Sequence, residues 1–232
     1  MTDTPRFIHL RTHSEYSLLE GALRLKKLPG MCRDMGMPAL ALTDTNNMFA
    51  ALEYSVAMAG AGVQPIIGCQ VDLAYVQVQP GEKPRDPAPV VLLAQTEAGY
   101  ENLMKLNSCL YIDKGGALPE VTLDELEALS ADVICLTGGA DGPVGQLLQN
   151  GQRPAAETLM ARLHKAFGNR LYVELQRHPG EDGLPENERL TERGFIEMAY
   201  AMDIPLVATN DVYFPDTKMY EAHDALICIS EG

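Results

Sequence analysis

The sequence predicts an α/β fold of repeated strand–helix units, and three observations point to it. Seven short apolar runs of strand character alternate with segments whose apolar residues recur at helical spacing. Breakers such as Gly36 and Asp44-Thr45-Asn46-Asn47 fall between these segments rather than inside them. The 232 residues and 46% hydrophobic content suffice for one barrel-sized domain with a real core. Periodicity of this kind fits a closed or nearly closed barrel of seven parallel strands, and it fits an open doubly wound sheet equally.

Phe7–Thr12 reads as the first strand, through Phe7, Ile8 and Leu10. A helix follows near Lys26–Met35, with Leu28, Met31, Cys32 and Met35 on one face, Pro29 in its first turn and Gly36 as its stop. Ala39–Thr43 is the second strand. The helix from Met48 presents Met48, Ala51, Leu52, Ser55 and Met58 as its inner stripe, which at that spacing is core. Gln64–Tyr75 is the third strand, and the Pro- and Gly-rich stretch 79–87 is an exposed loop. Val90–Ala94 is the fourth, followed by a helix with Tyr100, Leu103, Met104, Asn107 and Leu110 inward. Thr122 with Glu125 forms a capping box for a short acidic helix. Val133–Thr137 is the fifth strand, helices follow near Val144–Gln149 and Ala155–Phe167, and Leu171–Gln176 is the sixth strand. A helix over Glu186–Met202, a strand at Pro205–Thr209 and a helix over Tyr220–Ile229 complete the pattern.

No apolar run approaches the ~20 residues of a membrane span. The amino terminus lacks the basic-then-apolar order of a secretory signal, so a soluble, cytoplasmic protein is expected. Five widely spaced cysteines without a C-x-x-C read as reduced, mostly buried thiols. The net charge of −14 is concentrated after residue 100, where 22 acidic side chains face 10 basic ones. Such a surface repels nucleic acid, whose phosphates are gripped by Lys and Arg. Partners are expected to be proteins or further domains of a longer chain, with DNA bound only through other domains.

The stretch Phe7–Gly21 joins the first strand to a loop, where α/β folds place their chemistry. His9, Arg11 and His13 alternate, so on an extended chain they project from one face. A guanidinium stays protonated and offers no lone pair, so Arg11 cannot ligate a metal. The site reads as built for metal and then altered.

FIHLRTHSEYSLLEG, MPALALTDTNNMFAALE and QPIIGCQVDLAY, followed in order by ENLMKLNSCLYI, LYVELQRHP and PLVATNDVYFPDTKMYEAHDALICI, make the resemblance specific over nearly the whole chain. The chain resembles the PHP (polymerase and histidinol phosphatase) domains at the amino end of bacterial replicative C-family polymerases, the DNA polymerase III alpha subunits. The resemblance implies a distorted (β/α)7 barrel, metallo-dependent-hydrolase-like, over residues 1–232, in a chain that continues after Gly232. It also implies a strand-end pocket that in metal-binding members holds a Zn or Mn cluster, the polymerase domains using Mg.

Position by position, that pocket maps onto His9, Arg11, His13, Glu20, Asp44, Thr45, Gln70, His178, Asp211 and Tyr213. Donors are replaced at Arg11, Thr45, Gln70 and Tyr213, and at Gly139 if a fifth position aligns. His13, Glu20 and Asp211 are left for one weak ion at best, and no catalytic residue or cofactor is expected in this chain. Without a metal, Glu20, Asp44 and Asp211 would repel one another if they converge, so Arg11 is expected within salt-bridge distance of at least one. By itself, His178 reads as a hydrogen-bonded loop residue, and His223 as helix packing or capping. The expected function is a catalytically silent scaffold of the polymerase that docks the proofreading exonuclease subunit or braces the polymerase domains. The alternative is an active metal-dependent phosphoesterase or 3'-5' exonuclease, for which several donors are missing.

Overall fold

In a computed structural model, which describes residues 7–76, 86–112, 119–180 and 183–231, the apolar run Phe7–Thr12 is not a regular strand. Backbone pairing is partial, with the Ala41 N–H donating to His9 O and the Thr43 N–H to Thr12 O, both at 2.9 Å, and side chains take other groups. The Thr43 hydroxyl accepts from the Thr12 N–H at 2.9 Å, and Asp44 Oδ1 accepts from the Ser14 N–H at 2.7 Å. What remains is an extended segment with isolated bridges, Thr12 to Val212 and Ser14 to Leu23.

The strands are β1 (Ala39–Leu42), β2 (Gln64–Ala74), β3 (Ala88–Ala94), β4 (Val121–Thr122), β5 (Val133–Leu136), β6 (Leu171–Leu175) and β7 (Leu206–Ala208). The helices are α1 (Leu28–Asp34), α2 (Ala51–Gly60), α3 (Glu97–Cys109), α4 (Leu123–Ala128), α5 (Pro143–Gln149), α6 (Arg153–Phe167), α7 (Glu186–Met202) and α8 (Tyr220–Glu231). Among the described residues no helix is long and apolar enough to cross a membrane. The loop expected at 79–87 lies largely outside the described residues.

The chain divides into two units, Met1–Cys69 with Asn210–Gly232, and Gln70–Thr209. In the first, β1 runs parallel to the start of β2, from Ala39 opposite Gln64 to Leu42 opposite Ile67. Its core gathers Leu25, Leu28, Cys32, Leu40, Tyr54 and Met58. Pro29 opens α1, and Gly36 at φ 65° supplies the left-handed turn that ends it. The inward face of α2 is Ala51, Tyr54 and Met58, with the Tyr54 hydroxyl donating to Leu40 O at 2.6 Å. Leu52, expected inward, is 77% exposed. The true stripe is offset because Tyr54 finds a buried carbonyl for its hydroxyl and so anchors that face.

In the second unit the strand order is β2-β3-β5-β6-β7, with β4 on β2. β2·β4, β5·β6 and β6·β7 are parallel, but β3 meets β5 antiparallel, Val91 opposite Leu136. The expectation of seven parallel strands fails there. Residues 75–87 carry no helical pattern, and a parallel return needs a crossover, usually a helix. β4 has two residues, too few to show a period. The Thr122–Glu125 capping box forms as expected, and Thr96 caps α3 by accepting from the Gly99 N–H. Met104, expected inward on α3, is exposed, its place taken by Leu106.

Candidate functional site

Three segments of the first unit meet at the site: residues 11–21, the end of β1 at 43–47, and residues 211–213. Arg11 is buried, and its Nη2 lies 2.9 Å from Asp211 Oδ2, the two side chains being 2% and 18% exposed. Of the three acids, Asp211 lies against the guanidinium. His13 Nε2 lies 3.1 Å from the other carboxylate oxygen of Asp211. That contact is at ion-pair distance without the alignment of a hydrogen bond. The His13 ring stacks on Tyr213, with centroids 4.3 Å apart and planes 6° from parallel. Its Nδ1 faces the Ser17 and Thr45 hydroxyls at 3.2 and 3.3 Å.

Glu20 and Asp44 are each engaged elsewhere. The Thr45 hydroxyl donates to Glu20 Oε2 at 2.6 Å. Asp44 accepts from the Ser14 N–H and from the Ser14 and Ser17 hydroxyls, the last at 2.8 Å. It serves as the knot that ties the 14–17 turn to β1, not as a carboxylate directed at a shared ion. Gly21 is required here by close approach, because a Cβ would lie 1.9 Å from Ser14 O. His223 bonds Glu20 O at 2.7 Å through Nε2 and tilts against Tyr213 and Phe214, so it packs α8 onto the loop.

Burial first, and then the charge of Asp211, pushes the Tyr213 phenol above its ordinary range, so it stays neutral. His9 does not join Arg11 and His13. Without a regular strand the two-residue alternation breaks, and His9 lies edge-on to Phe7, with burial lowering its pKa from 6.5.

Gln70 and His178 belong to the second unit. Gln70 is buried. His178 is held in its loop by Glu188, which accepts from its backbone N–H at 3.0 Å and contacts Nδ1 at 2.5 Å. Also in that unit, an added Cβ at Gly139 would lie 2.5 Å from Gln176 Oε1. A residue that sequence reading passed over is Glu174, fully buried on β6. It accepts from the Gly138 N–H at 2.9 Å and from the Thr209 hydroxyl, while Gln176 Nε2 lies 3.4 Å away. Its signal was a carboxylate inside an apolar strand, LYVEL.

The donor set does not fit a cluster of metal ions. A permanent cation sits among the acids at Arg11, where a ligand would have to offer a lone pair. Among the described residues no group of three or more His, Cys, Asp or Glu side chains is arranged to hold an ion.

Residues 9–178 match the PHP domain family. The chain belongs to the PHP family. Among curated relatives, the DNA polymerase III subunit alpha of Caulobacter vibrioides is 46% identical over 228 residues, covering 97% of this chain and 19% of that protein. The Escherichia coli K12 protein of the same name is 35% identical over 229 residues, covering 98% and 19%. The PHP domain described here thus spans about a fifth of the relatives' length, at their amino-terminal end. Two solved structures share the fold at TM-score 0.56, each covering 94% of this chain and 96% of its own. One, from Bifidobacterium adolescentis, is named as a metal-dependent phosphoesterase and is 11% identical. The other is an amidohydrolase from Chromobacterium violaceum with bound sulfate and no metal, 14% identical. The α/β fold is that of these PHP-like structural neighbours, consistent with the distorted barrel class that the resemblance implied.

Proposed function

We propose that this PHP domain is the amino-terminal scaffold of a DNA polymerase III alpha subunit, within a chain that synthesises DNA through other domains. By itself it is catalytically silent. The observation that carries this reading is the buried Arg11 guanidinium against Asp211, a fixed cation at the centre of the donor cluster. A charge there opposes a second one, and the hydroxyl and carboxylate partners around it are already engaged with one another. The scaffold docks the proofreading exonuclease subunit. Exposed Leu52 and Val56 on α2, with exposed Phe49 in the turn just before it, support a protein-binding face.

The test has two arms. With added Zn²⁺, Mn²⁺ or Mg²⁺, the chain should hydrolyse neither phosphomonoesters nor single-stranded DNA above background. A metal-dependent rate that disappears in His13→Ala or Asp211→Ala would overturn the silent reading. Titration with the exonuclease subunit should saturate. No binding at concentrations on the order of tens of micromolar would sink the docking role and leave the domain as an internal brace of the polymerase.

A further inference from the structure

The exposed apolar face of α2 does not end at the helix. Tyr16 O accepts from Asn47 Nδ2 at 2.9 Å, and the Tyr16 hydroxyl donates to Glu53 Oε2 at 3.3 Å. The turn over residues 14–21 therefore lies against the first turn of α2. It carries Leu18 and Leu19, both exposed. Leu19 is held at φ 64°, a left-handed conformation that is costly for a leucine and points to a use for the side chains the turn presents. On the helix, Val56 stands four residues from Leu52 and three from Glu53, the spacings that set side chains next to one another. Glu53 thus sits where the apolar stripe of α2 meets the turn.

That carboxylate decides what can cover the face. Glu53 is exposed and accepts from Tyr16, and among the described residues no cation lies at ion-pair distance from it. The surrounding sequence offers none, since residues 12–23 and 34–82 contain neither Lys nor Arg. The charge of Glu53 is the first cause that raises the Tyr16 phenol above its ordinary range, and Glu15 and Asp44 add to it, the mark of a negative field. A partner seated on Leu18, Leu52 and Val56 takes the Glu53 carboxylate out of water, which is strongly unfavourable unless a cation comes with it. A wholly apolar or acidic segment is therefore rejected. So is a second copy of this chain joined through the same face, because it would bring another Glu53 and no Lys or Arg from these segments.

We propose that this face receives an apolar protein segment with one arginine or lysine among its apolar side chains, the cation pairing with Glu53 while the apolar groups cover Leu18, Leu52 and Val56. The proposal deepens the docking role and rests on it. Arginine suits the place best, because its guanidinium is planar, weakly hydrated and able to bond both oxygens of a carboxylate.

The experiment titrates labelled exonuclease subunit with the chain and its variants at about 150 mM salt, where distant surface charges are screened. Glu53→Gln keeps the size of the side chain and drops its charge. It should weaken binding about thirtyfold, because the partner's cation is left buried and unpaired. Glu53→Lys should abolish binding at concentrations on the order of tens of micromolar, and Glu53→Asp, which keeps the charge, should restore most of it. Leu18→Ser should weaken binding about tenfold. Urea midpoints of these surface variants should match that of the unaltered chain. Binding by Glu53→Gln or Glu53→Lys as tight as that of the unaltered chain overturns the proposal and leaves the docking role standing. Full-strength binding by Leu18→Ser does the same. No binding by the unaltered chain overturns both.

Discussion

Arg11 shows how one side chain can change what a pocket is for. The guanidinium is buried, permanently charged and answered by Asp211, which keeps some contact with solvent. Removing one member of such a pair leaves an uncompensated charge, a larger loss than the pair itself contributes. Arg11→Ala is therefore expected to lower stability by about 3 kcal/mol, measured as a shift in the urea midpoint at unchanged slope. A change under about 1 kcal/mol would mean that water already screens the pair. His9 gives a pH signature of its own. Burial lowers its folded pKa below 6.5, so the folded state resists charging it. The stability it permits is full above the unfolded pKa, and is lost as pH falls from about 6.5 toward the folded value. Urea midpoints at pH 8 and pH 5 should differ less for His9→Phe than for the unaltered chain. An unchanged difference would place the acid sensitivity elsewhere.

At the scale of elements, periodicity located most helices closely, α7 at Glu186–Met202 among them, because a long amphipathic segment repeats its signal many times. The failures have local causes. The Thr43 hydroxyl takes the Thr12 N–H that the first strand would have given to a ladder, Asp44 takes the Ser14 N–H just beyond it, and no hydropathy pattern records such bonds. The direction of β3 depended on a missing crossover helix. Within the site, the Arg11 pairing was legible from charge alone, once resemblance had placed Asp211 nearby. Asp44 as an anchor for Ser14 and Ser17 was not, since those bonds span 30 and 27 residues of sequence. Leu52, read from sequence as core, lies on the exposed face of α2, and it now carries a prediction. Leu52→Glu should leave stability within about 0.5 kcal/mol, as surface changes do, yet weaken binding of the exonuclease subunit in a titration. Undiminished binding would move the docking face away from α2.

For the whole molecule, the charge of −14 matters less than how the few cations are spent. In the second unit Arg177 grips Glu192 through two bonds of 2.8 Å, Arg153 reaches Glu157 and Glu197, Arg193 meets Glu197, and Arg162 pairs with Asp124 and Glu127. These pairs lie at the surface, exposed or partly so, and add little to stability, but each keeps a guanidinium beside a carboxylate rather than free for a phosphate. Affinity for DNA grows with the number of phosphates neutralised and the counterions they release, and here the surrounding acids add repulsion instead. The chain is therefore expected to leave the anisotropy of a labelled single-stranded oligonucleotide unchanged at about 150 mM salt and protein concentrations on the order of tens of micromolar. Binding that tightens steeply as salt is lowered, and already saturates at that ionic strength, would show that a basic surface exists and that this domain handles DNA directly.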